Sequence, residues 1–264
     1  MNPLRIEQMT IFDVEPAEVV TIAAELAVPN VSFFTTQGMP EARRVTKHNI
    51  RSVMERLHNT PVTVDTVECF VLGSDALAME HEIALAAELG ASAITSINVY
   101  ESDEDRSAEQ LAGLCALAAR YGLLVSLEFI SMGTTRTPAQ ALRVVHKSGA
   151  SNARITVDLL HVMRTATPFS EISALDPALI SSIQICDGPE QIDDKELIEE
   201  ASYSRMIPGT GAFPLAAFLK SIPATVPMGV EVPLRALREG GMSARDRTRL
   251  VVEAARALQQ SVRR

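Results

Sequence analysis

Strand-like and helix-like segments alternate along the whole 264-residue chain, and this limits its possible folds more than any other feature. Apolar, strand-like runs occupy residues 5–12, 28–35, 62–72, 92–99, 123–130, 153–160, 180–186 and 225–232. Segments with helical spacing follow them at 17–26, 41–57, 76–89, 106–121, 139–148, 170–175, 215–219 and 244–262. Pro16 and Thr137-Pro138 read as helix starts, Ser74 as the cap of the third helix, and Gly90, Gly122 and Gly149 as helix ends. Eight βα units with no Gly-, Ser- or Pro-rich linker predict an α/β fold, a single (β/α)8 TIM barrel covering residues 1–264 as one domain. A doubly wound sheet is the other arrangement to weigh, but no G-x-G-x-x-G follows any strand.

Four of the later strands each carry one polar residue between apolar neighbours. They are Glu128 in Leu127-Glu128-Phe129, Asp158 in Val157-Asp158-Leu159, Gln184 in Ile183-Gln184-Ile185 and Glu231 in Val230-Glu231-Val232. Strand neighbours point to opposite faces, so each polar residue faces away from the layer that its flanks pack against. Barrel enzymes carry their reactive groups at the C-terminal strand ends, which puts these four at one mouth. Three carboxylates and an amide sharing an interior repel or stay unsatisfied unless something binds them, and a divalent metal does so economically. An all-oxygen donor set suits Mn²⁺ or Mg²⁺ better than Zn²⁺. For any one residue, a polar strand end satisfied by a loop or an arginine is the plainer reading; four on successive strands favour the metal.

Composition bounds the partners. The formal net charge of −9 argues against a nucleic-acid-coating surface, which would be basic. No uncharged apolar stretch approaches the roughly 20 residues needed to span a bilayer, and the start lacks the pattern of a signal peptide. The three cysteines, Cys69, Cys115 and Cys186, have no C-x-x-C spacing, and a reducing cytoplasm fits them. The expected partner is a small molecule, with no nucleic acid and no membrane; a homo-oligomer is left open.

The elements Ser126-Leu127-Glu128-Phe129, Asp158-Leu159-Leu160-His161, Gln184-Ile185-Cys186-Asp187, Pro208-Gly209-Thr210-Gly211 and Gly229-Val230-Glu231-Val232 resemble the xylose-isomerase-like TIM-barrel superfamily of sugar isomerases and epimerases. The resemblance implies a divalent metal held by Glu128, Asp158, Gln184 and Glu231, with the two glutamates as the proton-transfer pair. Many members carry His where Gln184 stands; Gln occurs in branches similar to 3-dehydroshikimate dehydratase. Two activities are therefore expected to compete. One is isomerisation or epimerisation of a ketose or related hydroxy-ketone. The other is a lyase reaction that removes water from a cyclic hydroxy-keto acid. Both begin with removal of a proton beside a polarised carbonyl.

Further candidates surround this set. His161, three residues beyond Asp158, is expected over the mouth as a hydrogen-bonding or proton-shuttling group. The resemblance implies that Arg205 in the seventh loop reaches the substrate's polar end, against the plainer reading of a surface arginine, with Arg136 and Arg164 as weaker candidates. Glu68 on strand three and Asn98 at the end of strand four are candidates for substrate contact, with a purely structural role, such as pairing of Glu68 with an internal arginine, as the other reading. The Pro208-Gly209-Thr210-Gly211 turn offers N–H groups to an anion, although such turns more often only order a loop.

Overall fold

The computed structural model describes residues 2–37, 41–75 and 78–262. The strands are β1 (Leu4–Ile6), β2 (Asn30–Phe34), β3 (Thr63–Val71), β4 (Ala93–Ile97), β5 (Leu124–Glu128), β6 (Ala153–Asp158), β7 (Ile180–Ile185) and β8 (Met228–Val230). They pair in parallel in chain order and close through β8 against β1, forming a single (β/α)8 TIM barrel. No helix among the described residues is long and apolar enough to cross a membrane.

Alternation along each strand separates two environments. On β5, Val125 and Leu127 are fully buried in the apolar layer between sheet and helices, while Ser126 and Glu128 face the barrel interior. The same alternation sets Thr156 and Asp158 inward on β6, and Ser182 and Gln184 inward on β7. The interior beneath the site is thus rich in hydroxyl groups rather than packed with branched aliphatics. Ser126 Oγ and Thr156 Oγ1 lie 2.6 Å apart, and Arg5 Nη2 donates to Ser182 Oγ at 3.2 Å. Buried hydroxyls need such partners, and here they find one another.

The helices that cover the barrel are fixed at their ends as their sequences dictate. Helix Glu104–Ala119 starts at Asp103, whose carboxylate accepts from the backbone N–H groups of Asp105 and Arg106. Its buried stripe includes Leu111, Leu114, Cys115 and Ala118, spaced for one face. Helix Pro138–Ser148 opens with a capping box between Thr137 and Gln140 and stops at Gly149, whose φ of 64° suits glycine.

Some expected bounds shift for clear reasons. The second helix is confined to Ile50–His58, because the chain before it bonds to the barrel instead. There Arg43 N donates to Phe12 O, Val45 N donates to Phe34 O, and Arg43 O accepts from Gln8 Nε2. The third helix runs Glu80–Glu88 with no side-chain cap, and the expected start at residues 76–77 lies outside the described residues. The first strand ends at Ile6, and Gln8–Ile11 form a 3-10 turn. Glu231 falls one residue past β8, yet its N–H still donates to Ile185 O at 3.1 Å.

Candidate functional site

Glu128 and Asp158 end β5 and β6, Gln184 is the penultimate residue of β7, and Glu231 follows β8. All four side chains are buried at one end of the barrel. Gln184 Nε2 donates to Glu231 Oε1 at 3.2 Å, which directs its amide oxygen elsewhere. That oxygen, Gln184 Oε1, is buried without a hydrogen-bond partner. Asp158 Oδ1 accepts from Leu160 N at 2.8 Å and so caps the short helix Leu159–Arg164 that carries His161.

Arg205 sits inside this group. Its Nη1 donates to Asp158 Oδ2 at 2.7 Å, and its Nη2 lies 2.7 Å from Glu231 Oε2. The guanidinium is itself anchored by Nε to Ala201 O at 3.0 Å. An arginine thus satisfies part of the carboxylate set, as the plainer reading of these residues allowed, but leaves Gln184 Oε1 unpaired. Burial still dominates: it pushes Glu231 up to about 8 despite Arg205, and raises Glu128 well above the usual carboxylate range, helped by the charges of Glu231 and Asp158.

His161 is buried, with Nε2 at 3.7 Å from both Glu128 Oε1 and Asp158 Oδ2. The Ser131 backbone N–H donates to His161 Nδ1 at 3.2 Å, so the neutral ring carries its proton on Nε2, facing the carboxylates. Desolvation pushes its pKa down to about 4, against the raising effect of Asp158. Glu128, Asp158 and His161 offer ligand atoms within 4.8 Å of one another. A donor on Nδ1 makes Nε2 a proton carrier in the neutral ring.

A cavity of about 300 Å³ opens above the site, and Glu68, Glu128, His161, Arg205 and Glu231 line it. Glu68 Oε1 is also buried without a partner, and burial beside Glu7 and Glu231 raises its pKa well above the usual range. Asn98 is not among the lining side chains. Its Nδ2 donates to Glu101 O, Ser107 Oγ and Thr135 Oγ1, so it ties the loop after β4 to the loop after β5. Arg164 is likewise spent on Glu200 and the carbonyls of Pro189 and Glu190, and Arg136 is exposed. The Pro208–Gly211 turn gives its N–H groups to an internal anion: Gly209 N and Gly211 N donate to Asp187 Oδ2 at 2.9 and 3.0 Å.

Two interior residues had no place in the sequence reading. Arg5 is buried beneath the site, held at 2.6 Å to both Glu7 Oε1 and Asp65 Oδ2. Glu7 Oε2 is buried without a partner, beside Glu68. The signal was the alternation Leu4-Arg5-Ile6-Glu7, the same apolar–polar pattern that marked the later strands.

Solved structures share this architecture at low identity. The chain superimposes on the IOLI protein, solved with a bound zinc atom, with a TM-score of 0.82 at 16% identity over 98% of each chain. A xylose isomerase domain protein from Alicyclobacillus acidocaldarius matches with a TM-score of 0.74 at 18% identity over 100% of both chains. L-ribulose 3-epimerase matches with a TM-score of 0.72 at 13% identity, over 100% of this chain and 96% of that one. A comparison with curated proteins gives no significant match. The xylose isomerase-like TIM barrel model matches residues 23–261, and the chain belongs to that family.

Proposed function

We propose that this protein is a divalent-metal-dependent isomerase or epimerase of a ketose or related hydroxy-ketone, acting by proton removal beside a polarised carbonyl. One observation carries the reading: Gln184 Oε1 is a buried acceptor with no partner, set among Glu128, Asp158 and Glu231. Set among three carboxylates, that oxygen lies where a metal site would use it. The residues therefore fit a divalent ion held by Glu128, Asp158, Gln184 and Glu231. Their all-oxygen chemistry favours Mn²⁺ or Mg²⁺. Fold relatives solved with zinc, or named as a ketose epimerase, are consistent with this reading.

The bound ion would supply stabilisation of negative charge on the substrate oxygens. The protein's own groups do the rest. Glu128 and Glu231 both reach the cavity and form the proton-transfer pair, one removing the α-proton and the other returning it. Arg205 holds Asp158 and Glu231 in place through Nη1 and Nη2 and lines the cavity beside them. His161 donates from Nε2 to a substrate oxygen, with its ring held by Ser131. Glu68 meets the substrate from the far wall.

A second reading rests on Gln184 itself: as a neutral oxygen ligand it suits a lyase that removes water after the same first step. Incubation in D₂O with Mn²⁺ or Mg²⁺ and a panel of ketoses and cyclic keto acids separates the two. Deuterium at the α-carbon of an isomeric product supports isomerisation; a product lighter by water supports elimination. Glu231→Gln is expected to keep the fold and abolish turnover, and full activity in that variant would remove Glu231 from the chemistry.

A further inference from the structure

The cavity is divided into two chemically different halves. Its polar groups gather on the β5–β8 side, at Glu128, His161, Arg205 and Glu231. Apart from Glu68 on β3, the opposite wall is largely apolar: Phe34, Val71, Ile97, Ile130 and Met132 line it from β2 to the loop after β5, and Ile198 closes it from the helix Leu197–Tyr203. Among the described lining residues, Ser202 is the one hydroxyl side chain and Arg205 the one cation. That cation already engages Asp158 and Glu231. Four carboxyl groups, counting Glu68 and the buried Asp158, lie in or beside the cavity with this single guanidinium, so even a bound divalent ion leaves no surplus positive charge for a phosphate.

A free polyol seated here would press several hydroxyls against Phe34, Ile97 and Ile130, where Glu68 is the one carboxyl among the described lining residues of that wall, and each hydroxyl left unpaired disfavours binding. A ketose phosphate would meet a carboxylate-rich centre with its only arginine occupied. An apolar ring or chain instead gains from removing that wall from water. We infer that the substrate is a small, neutral, amphipathic α-hydroxy-ketone, with two chelating oxygens at one end and a largely unhydroxylated carbon ring or chain at the other. This rests on the proposed enolising site and narrows its substrate class.

The test pairs chemistry with binding. Protein loaded with Mn²⁺ is incubated in D₂O with 2-hydroxycyclohexanone, D-fructose or D-ribulose 5-phosphate, and α-proton loss is followed by NMR. In parallel, calorimetry at two temperatures gives Kd and the heat-capacity change for each compound. The ring compound is expected to bind at least tenfold tighter than fructose, with a negative heat-capacity change, and to exchange fastest; the phosphate is expected to be poorest. Equal or faster exchange of fructose or the phosphate, with equal or tighter binding, overturns the inference while leaving the enolising site intact. Tight binding of the ring compound without exchange in any of the three upholds the pocket's character and overturns the proposed chemistry. No binding of any of them overturns both. Ile198→Asn, at a position 65% exposed and safe for folding, is expected to weaken the ring compound several-fold and to leave fructose unchanged. An unchanged ring-compound Kd would remove Ile198 from the apolar wall.

Discussion

The backbone N–H of Ser131 donates to Nδ1 of His161 at 3.2 Å, and this bond selects the tautomer of the neutral ring. It keeps Nδ1 unprotonated and sends the proton of Nε2 towards Glu128 and Asp158. His161→Gln is therefore expected to lower turnover by about 10²-fold, in the range usual for a positioned proton donor, while Mn²⁺ affinity stays within about twofold. Metal titration by electron paramagnetic resonance checks the second half. A large loss of Mn²⁺ affinity would make His161 a ligand, in place of Gln184.

Gln184 leads to a complementary expectation. Gln184→Leu keeps roughly the same volume but removes the unpaired Oε1, leaving Glu231 still held by Arg205. The Mn²⁺ dissociation constant should rise at least tenfold. Metal binding should also stabilise the wild-type fold by about 2.7 kcal/mol at a hundredfold excess over Kd, visible as a rise in melting temperature that EDTA reverses. In Gln184→Leu that rise should shrink or vanish. An unaltered metal response would take Gln184 out of the proposed set.

Much of this was legible because barrel strands impose a period of two. Lone polar residues between apolar flanks on β5 to β8 marked inward strand ends, and those ends do converge. Arg5 and Glu7 followed the same rule but were overlooked, since β1 is only Leu4–Ile6 and continues into a 3-10 turn. The partners of Asn98 were hidden, because a loop-end amide satisfied by Glu101, Ser107 and Thr135 cannot be told from a free one by spacing. Residues 41–49 look helical in pattern, but their backbone groups are claimed by partners far away in sequence. Arg205's double engagement was equally hidden, since its partners lie on β6 and just after β8.

Stability should carry a local pH signature at Asp103. Its carboxyl lies below the usual range, chiefly because it accepts from the Arg106 N–H at the start of helix Glu104–Ala119. A carboxyl whose folded value is depressed stabilises the fold above its unfolded value, near 3.9, and loses that contribution as pH falls through the folded one. Asp103→Asn keeps a capping oxygen but cannot titrate. Its urea midpoint, relative to wild type, should therefore be lower at pH 6 and converge as pH falls through the depressed folded value. A difference that stays constant from pH 6 to pH 3 would show that the carboxylate charge contributes nothing at that cap.

Gly229 tests the hidden charge beneath the site. A methyl group built there would overlap Oε1 of Glu7, the atom that Arg5 grips at 2.6 Å. Gly229 pairs with Arg5 on one side and Gln184 on the other, so nothing but the missing side chain makes room for Glu7 at this height in the barrel. Gly229→Ala is expected to destabilise the protein by roughly 1–3 kcal/mol, the usual cost of overpacking a rigid interior. Glu7→Ala removes the obstructing carboxylate, at its own cost in leaving Arg5 with Asp65 and Ser182. If the two sites share one space, the double variant should be less destabilised than the summed singles by more than about 1 kcal/mol in denaturant titration. Additivity within about 0.5 kcal/mol would mean that the methyl is accommodated without touching Glu7, and that the glycine serves some other need of β8.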